Sequence, residues 1–249
     1  MAGINLIMPM AGRGSRFLEL GYNVPKPLIE IHGKPFFYWS TISIFSKVKV
    51  EKLIFVVLKE HCEKYGIDNK IKKFFPLAEV ITIANVLNGA LLTGLEGLKK
   101  INNNDGILFN DCDHMFRSTQ FYKFINNLNY TIDNDIDGAI MTFRSNSPQY
   151  SYVKLNKEGR IIETVEKVVV SDSAICGAYY FKNKEIVEKY LHNYISSCIY
   201  DEYFFSGLYN VLIADNRNII KFDTDFHLSF GTPSEYIEAK KSKYFNLMD

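Results

Sequence analysis

The stretch INLIMPMAGRGSRF, residues 4–17, joins a short apolar run to a loop that is rich in glycine and arginine. The run Ile4–Met8 predicts a buried strand, because short apolar runs that end at proline and glycine are typical of sheet strands. Gly12 and Gly14 can adopt positive φ and let backbone N–H groups approach an anion closely. Since ligands of open α/β sheets bind at the carboxyl ends of the strands, this loop is a candidate anion site.

Charged residues beside the glycines favour the same interpretation. Arg13 and Arg16 add donors that suit phosphate oxygens, and further on the sequence PKP holds Lys26 between two prolines that stiffen the chain. The spacing matches neither the dinucleotide motif nor the P-loop motif. A tight turn with two solvated arginines is therefore the alternative interpretation.

Working outward, short apolar runs alternate with helical patterns over the first 145 residues. Strands separated by helices of this length indicate βαβ units and a mostly parallel sheet. The predicted strands are Ile4–Met8, Lys52–Leu58, Glu79–Ile83, Gly106–Asn110 and Gly138–Phe143, and the predicted helices are Phe36–Lys47, Glu60–Phe74, Ala90–Lys100 and Thr119–Leu128.

From Tyr150 onward the pattern changes. The segment YVKLNKEGRIIETVEK, residues 152–167, alternates polar and apolar positions around Lys157-Glu158-Gly159, which predicts a hairpin. The sequence therefore predicts one α/β domain, residues 1–249, with an antiparallel insertion in its second half. Further predictions are a strand at 174–181, helices at 183–191 and 200–213, and a capping box at Thr232–Glu235 with Pro233 at the first helical position.

Composition restricts the class of protein. Hydrophobic residues make up 47% of the 249 residues, and the net charge is +1. This balance argues against a sequence-independent nucleic-acid binder, which would carry a basic excess. The cysteines show no CxxC pairing, which predicts reduced thiols in a cytoplasmic protein. No apolar run approaches the ~20 residues of a membrane span, so we expect no membrane partner.

Five motifs in order carry a resemblance to a known family. MPMAGRGSRF with PKPLIEIHGKPFFYW, NGALLTGL, LFNDCDHMF, TVEKVVVSDSAICGAYYF and FGTPSEY together resemble the signature of the sugar-phosphate nucleotidylyltransferases, the pyrophosphorylases that make nucleotide sugars. The resemblance implies a Rossmann-like three-layer sandwich with a mixed, mostly parallel sheet. It also implies transfer of a nucleotidyl group from a nucleoside triphosphate to a phosphorylated small-molecule acceptor, with release of pyrophosphate. The resemblance is also compatible with a homo-oligomer.

The resemblance assigns roles to the nucleotide half, residues 1–145. Arg16 and Lys26 would be catalytic and would hold the triphosphate and the departing pyrophosphate. Asp113, at the end of a predicted strand, would bind Mg²⁺ or Mn²⁺, assisted by Asp111 unless that residue only caps a helix. Nucleotide-binding positions would be Met10, Ala11, Gly12, Arg13, Gly14, Ser15, Asn88, Gly89 and Ala90, with Arg13 near the rim. His114 could be a ligand or a hydrogen-bonded structural histidine.

The acceptor half, residues 146–249, would use the Glu-Lys element. Lys167 would bind the acceptor's phosphate, while Glu166 and Gly177 would face the rest of the acceptor. The alternatives are a solvated Glu-Lys pair on a hairpin and a strand glycine against which another segment packs closely. Tyr150 and Tyr152 could contribute to the acceptor pocket, and Asp201 with Glu202 would open a helix.

Three departures from the family pattern lie in this half. Ser229 stands where family members commonly carry a second metal-binding Asp, Val168 replaces a proline, and Tyr150-Ser151-Tyr152 replaces a Tyr-Gly. Asp223 or Asp225 could compensate for the first. Some relatives with this pattern act in capsule decoration, including a cytidylyltransferase that uses phosphoglutamine. The resemblance therefore favours CTP and a non-standard phosphorylated acceptor over a sugar 1-phosphate with another nucleotide.

Two other classes of protein stay open. Asp111-Cys112-Asp113 is also the Asp-x-Asp pattern of metal-dependent glycosyltransferases, although that class leaves the glycine–arginine loop and Lys26 without a role. A non-catalytic nucleotide-binding module is the second alternative, because the expected Asp is absent at Ser229.

Overall fold

The computed structural model of the chain describes residues 3–128 and 135–247. Over the first half, strands and helices alternate as the sequence predicts. The elements are β1 (Ile4–Pro9), α1 (Ser15–Leu18), β2 (Glu30–Ile31), β3 (Lys34–Pro35), α2 (Phe36–Phe45), β4 (Val50–Leu58), α3 (Lys59–Tyr65), α4 (Ile67–Phe74), β5 (Glu79–Ile83), α5 (Ala90–Leu98), β6 (Gly106–Asn110), β7 (His114–Arg117), α6 (Thr119–Asn127) and β8 (Gly138–Arg144).

The second half confirms the predicted hairpin and the strand that follows it. Its elements are β9 (Tyr152–Leu155), β10 (Ile161–Val165), β11 (Ser173–Phe181), α7 (Lys184–Ser197), α8 (Phe205–Ala214), β12 (Ile219–Asp223), β13 (Phe226–Ser229) and α9 (Pro233–Ala239). The capping box of α9 is also confirmed, because the Thr232 side chain accepts from the Glu235 backbone while the Glu235 side chain accepts from the Thr232 backbone.

The main sheet is mixed and mostly parallel. Strands β5, β4, β1 and β6 run parallel, β11 runs antiparallel to β6 and β8, and β12 is parallel to β8 at the far edge. The β9–β10 hairpin pairs with the first half of β11. This is the three-layer α/β architecture that the sequence predicts, with its antiparallel insertion.

Alternating side chains of the central strands fill two cores. On β1, Leu6 and Met8 belong to one core and Ile7 to the other, and on β4 Phe55 and Val56 divide in the same way. Helices α2, α4 and α6 cover the first face, and α5, α7 and α8 cover the second. A strand buried on both faces reads as a continuous apolar run, which is why β1 and β4 are visible in the sequence.

Three predicted helices differ in extent. Helix α7 continues to Ser197, beyond the predicted end at residue 191. The pattern Glu60–Phe74 divides into α3 and α4 at Gly66, which adopts φ 61 and ends the first helix. Helix α8 begins only at Phe205, so the prediction that Asp201 and Glu202 open a helix is wrong. The physical reason is that Tyr203 is held in an extended segment: its N–H donates to the Asn88 carbonyl at 3.2 Å, and its carbonyl accepts from Leu91 at 3.2 Å.

Within the part of the chain that the structure describes, no helix combines the length and the apolar character that crossing a membrane requires.

Candidate functional site

Two adjoining cavities open at the carboxyl ends of β1 and β6. The glycine-loop cavity, of about 760 Å³, is lined by residues 9–15 and 86–90 together with Thr93, Cys112, Pro27 and Glu202. The hairpin cavity, of about 260 Å³, is lined mainly by residues of the second half of the chain. Five residues line both cavities, namely Lys26, Ala90, Asp111, Asp113 and Phe204. The predicted nucleotide and acceptor residues therefore lie on two sides of one shared boundary.

The glycine–arginine loop leaves the sheet just after β1. The Met10 N–H still donates to the Val56 carbonyl of β4, and the chain then turns at Gly14, whose φ is 64. A Cβ at Gly14 would lie 2.9 Å from the Lys26 Cβ, so the position requires glycine for both conformation and space. Gly12 differs from expectation because its φ is not positive. A Cβ there would meet nothing within 4 Å, so this glycine leaves open room in the cavity.

The two arginines of the loop face different cavities. Arg13 lines the glycine-loop cavity, whereas Arg16, in α1, lines the hairpin cavity. Both side chains are exposed. The sequence predicted that Arg13 would lie near the rim, and it gave no basis for dividing the two side chains between cavities.

Lys26 and Asp113 form an ion pair at the boundary of the cavities. Lys26 Nζ lies 2.7 Å from Asp113 Oδ2, and the two side chains are 27% and 24% exposed. Burial by itself would lower the pKa of Lys26, but the neighbouring Asp113 carboxylate outweighs burial and raises that pKa above its ordinary value. Burial would likewise raise the pKa of Asp113, but the Lys26 charge and hydrogen bond lower it. Both groups are therefore charged at neutral pH.

Asp111 is a second carboxylate beside this pair. Burial, followed by the negative charge of Asp113, raises the pKa of Asp111 to about 7 against the opposing effect of Lys26. Its N–H donates to the Gly177 carbonyl at 2.9 Å, and a Cβ at Gly177 would lie only 2.7 Å from Asp111 Oδ2. Gly177 has φ 86 where the pairing of β11 with β8 is irregular. The close approach of Asp111 thus explains the glycine, which also lines the hairpin cavity.

The segment Asn88–Ala90 packs against an extended segment before α8. Gly89, at φ 104, has no space for a Cβ because the Tyr203 backbone occupies it. Phe204 follows directly and lines both cavities. Phe204 was not assigned from the sequence, because it lies in a segment that was predicted to be helical and carries no other signal of a site.

The Glu-Lys element forms one wall of the hairpin cavity. Glu166 Oε1 accepts hydrogen bonds from the Ser151 hydroxyl at 2.5 Å and from the Ser206 hydroxyl. Lys167 adopts φ 54, which is uncommon for a residue with a side chain, and its Nζ lies 5.2 Å above the centre of the Phe204 ring. The carboxylate and the ammonium group therefore both belong to the cavity lining.

Further residues of the hairpin cavity were not assigned from the sequence. Glu235, Gln149, Thr232 and His227 all line the hairpin cavity, as does the anticipated Tyr150. The capping-box pattern could have drawn attention to Glu235, because the pattern places that carboxylate next to the Gly-Thr turn.

Tyr152, the other anticipated tyrosine, is fully buried, and its hydroxyl donates to the Ser147 carbonyl at 2.8 Å. It is therefore a core residue of the β9 strand rather than part of the cavity lining.

The histidine beside Asp113 has a structural partner. His114 is 2% exposed, and its Nε2 lies 3.0 Å from Asn110 Oδ1, while its Nδ1 has no partner among the described residues. Burial lowers the pKa of His114 to about 4 despite the opposing charge of Asp113. Across residues 3–128 and 135–247, no group of three or more His, Cys, Asp or Glu side chains is placed to hold a metal ion.

Asp223 and Asp225 lie outside both cavities. Asp223 Oδ1 accepts from Lys221 at 2.6 Å and from the Thr142 hydroxyl at 2.9 Å. Asp225 Oδ2 accepts from the Thr119 backbone at 3.0 Å and so caps the start of α6. Ser229 itself lines the hairpin cavity. Neither aspartate therefore compensates for the carboxylate that is absent at Ser229.

Comparison with known sequences decides the family. The sequence model of the family described as nucleotidyl transferase matches residues 4–244. The chain belongs to the nucleotidyl transferase family. This confirms the resemblance that the five motifs carry, and the protein is a nucleotidyltransferase enzyme. No protein with curated annotation matches the chain significantly in sequence.

Solved structures share the fold over nearly the whole chain. A nucleoside-diphosphate-sugar pyrophosphorylase from Vibrio cholerae RC9 is 24% identical, with a TM-score of 0.77, and the match covers 95% of this chain and 100% of that one. An inositol-1-phosphate CTP transferase from T. maritima is 15% identical, with a TM-score of 0.75 and coverage of 100% and 96%. A putative glucose-1-phosphate thymidylyltransferase from Bacillus anthracis is 15% identical, with a TM-score of 0.74 and coverage of 98% and 99%.

Proposed function

We propose that the protein transfers a nucleotidyl group from a nucleoside triphosphate, preferentially CTP, to a phosphorylated small metabolite and releases pyrophosphate. The observation that carries this proposal is the shared boundary of the two cavities, where Lys26, Asp111 and Asp113 line both. A triphosphate in the glycine-loop cavity and an acceptor phosphate in the hairpin cavity would meet at this boundary. Residues 1–145 would then bind mainly the nucleotide and residues 146–249 mainly the acceptor, within one domain.

The reaction requires positioning and charge stabilisation rather than a general base. An oxygen of the acceptor phosphate attacks the α-phosphorus, the new P–O bond forms, and the bond to the leaving pyrophosphate breaks. The attacking phosphate is already ionised near neutral pH, because its second pKa is about 6. Lys26 and Arg16 would stabilise the charge on the triphosphate and the departing pyrophosphate, and backbone N–H groups of Met10–Ser15 would hold phosphate oxygens.

Magnesium or manganese fits the side chains at the boundary. Mg²⁺ prefers one or two carboxylates together with phosphate oxygens, and Asp113 and Asp111 supply carboxylates on both cavities. Asp113 would be the principal ligand, because its carboxylate is ionised and reaches the boundary next to Lys26. The ion, when bound, would neutralise charge on the phosphate oxygens.

The acceptor would lie between Lys167, which would bind its phosphate, and Glu166, which would accept a hydrogen bond from the remainder. Gly177 would face it across the cavity. The unusual Val168 and Tyr150–Tyr152 positions favour a non-standard acceptor such as phosphoglutamine, and a role in precursor synthesis for capsule or surface polysaccharide. The comparison with the T. maritima inositol-1-phosphate CTP transferase supports a cytidine nucleotide. A sugar 1-phosphate with another nucleotide is the second candidate. The likeness to the V. cholerae nucleoside-diphosphate-sugar pyrophosphorylase and to the putative B. anthracis thymidylyltransferase favours it.

The test is a grid of four nucleoside triphosphates against glucose 1-phosphate, inositol 1-phosphate and phosphoglutamine with Mg²⁺, read by pyrophosphate release. We expect CTP to be the best donor, and a different best donor refutes the cytidine preference. Release of nucleoside diphosphate from a sugar nucleotide would instead indicate a glycosyltransferase. Nucleotide binding without pyrophosphate release across the whole grid would indicate a non-catalytic module.

A matched pair of variants tests the catalytic assignment. Arg16→Ala should lower the rate about 10²–10³-fold if Arg16 stabilises developing charge. Arg144→Ala removes an arginine whose side chain is 93% exposed and lies outside both cavities, and it should leave turnover unchanged. Full turnover of Arg16→Ala would contradict the mechanism.

A further inference from the structure

Glu235 makes more contacts than a helix cap requires. Its Oε2 accepts from the Thr232 N–H and from the Thr232 hydroxyl, each at 2.9 Å, and this oxygen completes the capping box of α9. Its Oε1 accepts from Gln149 Nε2 at 2.7 Å and from the Tyr150 hydroxyl. One carboxylate therefore joins the start of α9 to the loop between β8 and β9, 85 residues away in sequence.

The loop that Glu235 holds forms a wall of the hairpin cavity. Gln149, Tyr150 and Ser151 line the cavity in succession, and the Ser151 hydroxyl donates to Glu166 Oε1 at 2.5 Å. The Tyr150 ring also packs edge-on against Phe143, with ring centres 4.9 Å apart. The loop is thus fixed by two carboxylates, Glu235 and Glu166, and both residues line the cavity that the acceptor would occupy.

The turn that precedes Thr232 connects Glu235 to the surroundings of Asp113. The turn before Thr232 contains Gly231, where a Cβ would lie 2.6 Å from Asp113 Oδ2 and 3.7 Å from Glu235 Oε2. The Phe230 N–H also donates to the Asp113 carbonyl at 2.9 Å. Any movement of this turn would therefore change both the acceptor wall and the surroundings of the Asp113 carboxylate.

We propose that Glu235 is a positioning residue for the acceptor: it fixes Gln149 and Tyr150 as a wall of the hairpin cavity and holds that wall at a constant position relative to Asp113. The inference rests on the proposed function for the identity of the substrate, but the anchoring of the loop does not. Glu235 is not expected to react, because both of its oxygens are occupied by protein donors. Its effect should appear in acceptor binding and not in nucleotide binding.

Glu235→Gln separates positioning from capping. Glutamine is the other residue that completes a capping box, so one amide oxygen can still accept from Thr232. The amide NH₂ then cannot accept from Gln149 Nε2 or from the Tyr150 hydroxyl, and the hydroxyl could contact it only by turning from donor to acceptor. We expect the KM for the best acceptor of the grid to rise about five- to tenfold, the effect of losing the hydrogen bonds that Oε1 accepts, while the KM for the nucleoside triphosphate stays within twofold.

Two further variants complete the kinetic test. Tyr150→Phe should raise the acceptor KM similarly, and the Glu235→Gln, Tyr150→Phe double variant should be no worse than the worse single variant, because both remove the same interaction. Asn183→Ala removes the side-chain cap of α7, where Asn183 accepts from the Ile186 N–H at 3.0 Å, and it should lower stability without changing the acceptor KM. An acceptor KM within twofold of wild type for Glu235→Gln, or an equal rise in both KM values, overturns the proposal.

Hydrogen exchange provides a measurement that does not depend on turnover. Backbone amides of residues 147–151 should exchange faster in Glu235→Gln than in wild type, and those of Asn183→Ala should not. Unchanged exchange in Glu235→Gln overturns the anchoring. If exchange rises but the wild-type protein transfers no nucleotidyl group to any acceptor, the loop is anchored as inferred and the proposed function is what has failed.

Discussion

The Lys26–Asp113 pair provides the sharpest test of the site. The Nζ–Oδ2 distance of 2.7 Å corresponds to a gross attraction of about 6 kcal/mol at an effective dielectric constant of about 20. Desolvation offsets much of this, and side chains that are 27% and 24% exposed are partly screened by solvent. We therefore expect Lys26→Met and Asp113→Asn each to lower the free energy of unfolding, with a coupling of about 2–3 kcal/mol between them.

Urea denaturation of the wild type, both single variants and the double variant measures this coupling. The double variant should be more stable than the sum of the single changes predicts, because it leaves neither charge buried without its partner. The matched control is the pair Lys59–Glu63 on α3, whose atoms lie 3.5 Å apart and whose side chains are 66% and 62% exposed. Its coupling should be about 0.3–0.5 kcal/mol.

A Lys26–Asp113 coupling below about 0.5 kcal/mol would refute the reasoning, because independent sites add within that margin. The same variants carry a kinetic expectation. Lys26→Met should lower the rate about 10²–10³-fold under saturating substrates, since Lys26 would no longer stabilise the departing pyrophosphate.

Three further predictions follow from single residues. In metal-free protein, Asp111→Asn should raise the free energy of unfolding at pH 8 and change it little near pH 4. The reason is that a carboxyl whose pKa is raised to about 7 in the folded state destabilises the fold as pH rises from about 4 to 7. Urea titrations at several pH values measure this difference. Gly12→Ala should leave stability within about 0.5 kcal/mol but raise the KM for nucleotide, whereas Gly14→Ala should cost about 1 kcal/mol or more, because only Gly14 has positive φ and close contact with Lys26. Lys167→Gly should relieve the strain of φ 54 and gain up to about 1 kcal/mol, yet raise the acceptor KM, which steady-state kinetics measures.

The sheet could be predicted because its strands are locally distinctive. Strands β1, β4 and β6 are buried on both faces and separated by helices, so apolar runs alone indicate them. The loop after β1 and the residues after β6 then meet at one edge of the sheet, which is why Lys26 and Asp113 could be assigned to one site from their positions in the sequence.

The remaining wall of the site could not be predicted in this way. Phe204 lies in a segment that is extended only because Tyr203 pairs with the backbone beside Gly89, a contact between distant parts of the chain. Glu235 has the local signal of a capping box, but nothing local indicates that its second oxygen binds Tyr150. Tertiary contacts determine both the extended segment at Phe204 and the bond from Tyr150 to Glu235, and such contacts produce no periodic pattern in the sequence.

Under the proposed function, the charge arrangement at the cavity boundary would let the glycine–arginine loop and Asp113 bind one ligand together. In the protein alone, Lys26 and Asp113 satisfy each other, so neither presents an uncompensated charge to solvent. A triphosphate alone would compete with Asp113 for Lys26, and a cation alone would compete with Lys26 for Asp113. A triphosphate that carries a divalent cation offers an anion to Lys26 and a cation to Asp113 at once, so the two replacements compensate each other. Under the proposed function the boundary would therefore be complementary to the metal–nucleotide complex more than to either component, and Gly12 leaves open space in the cavity in which that complex would lie.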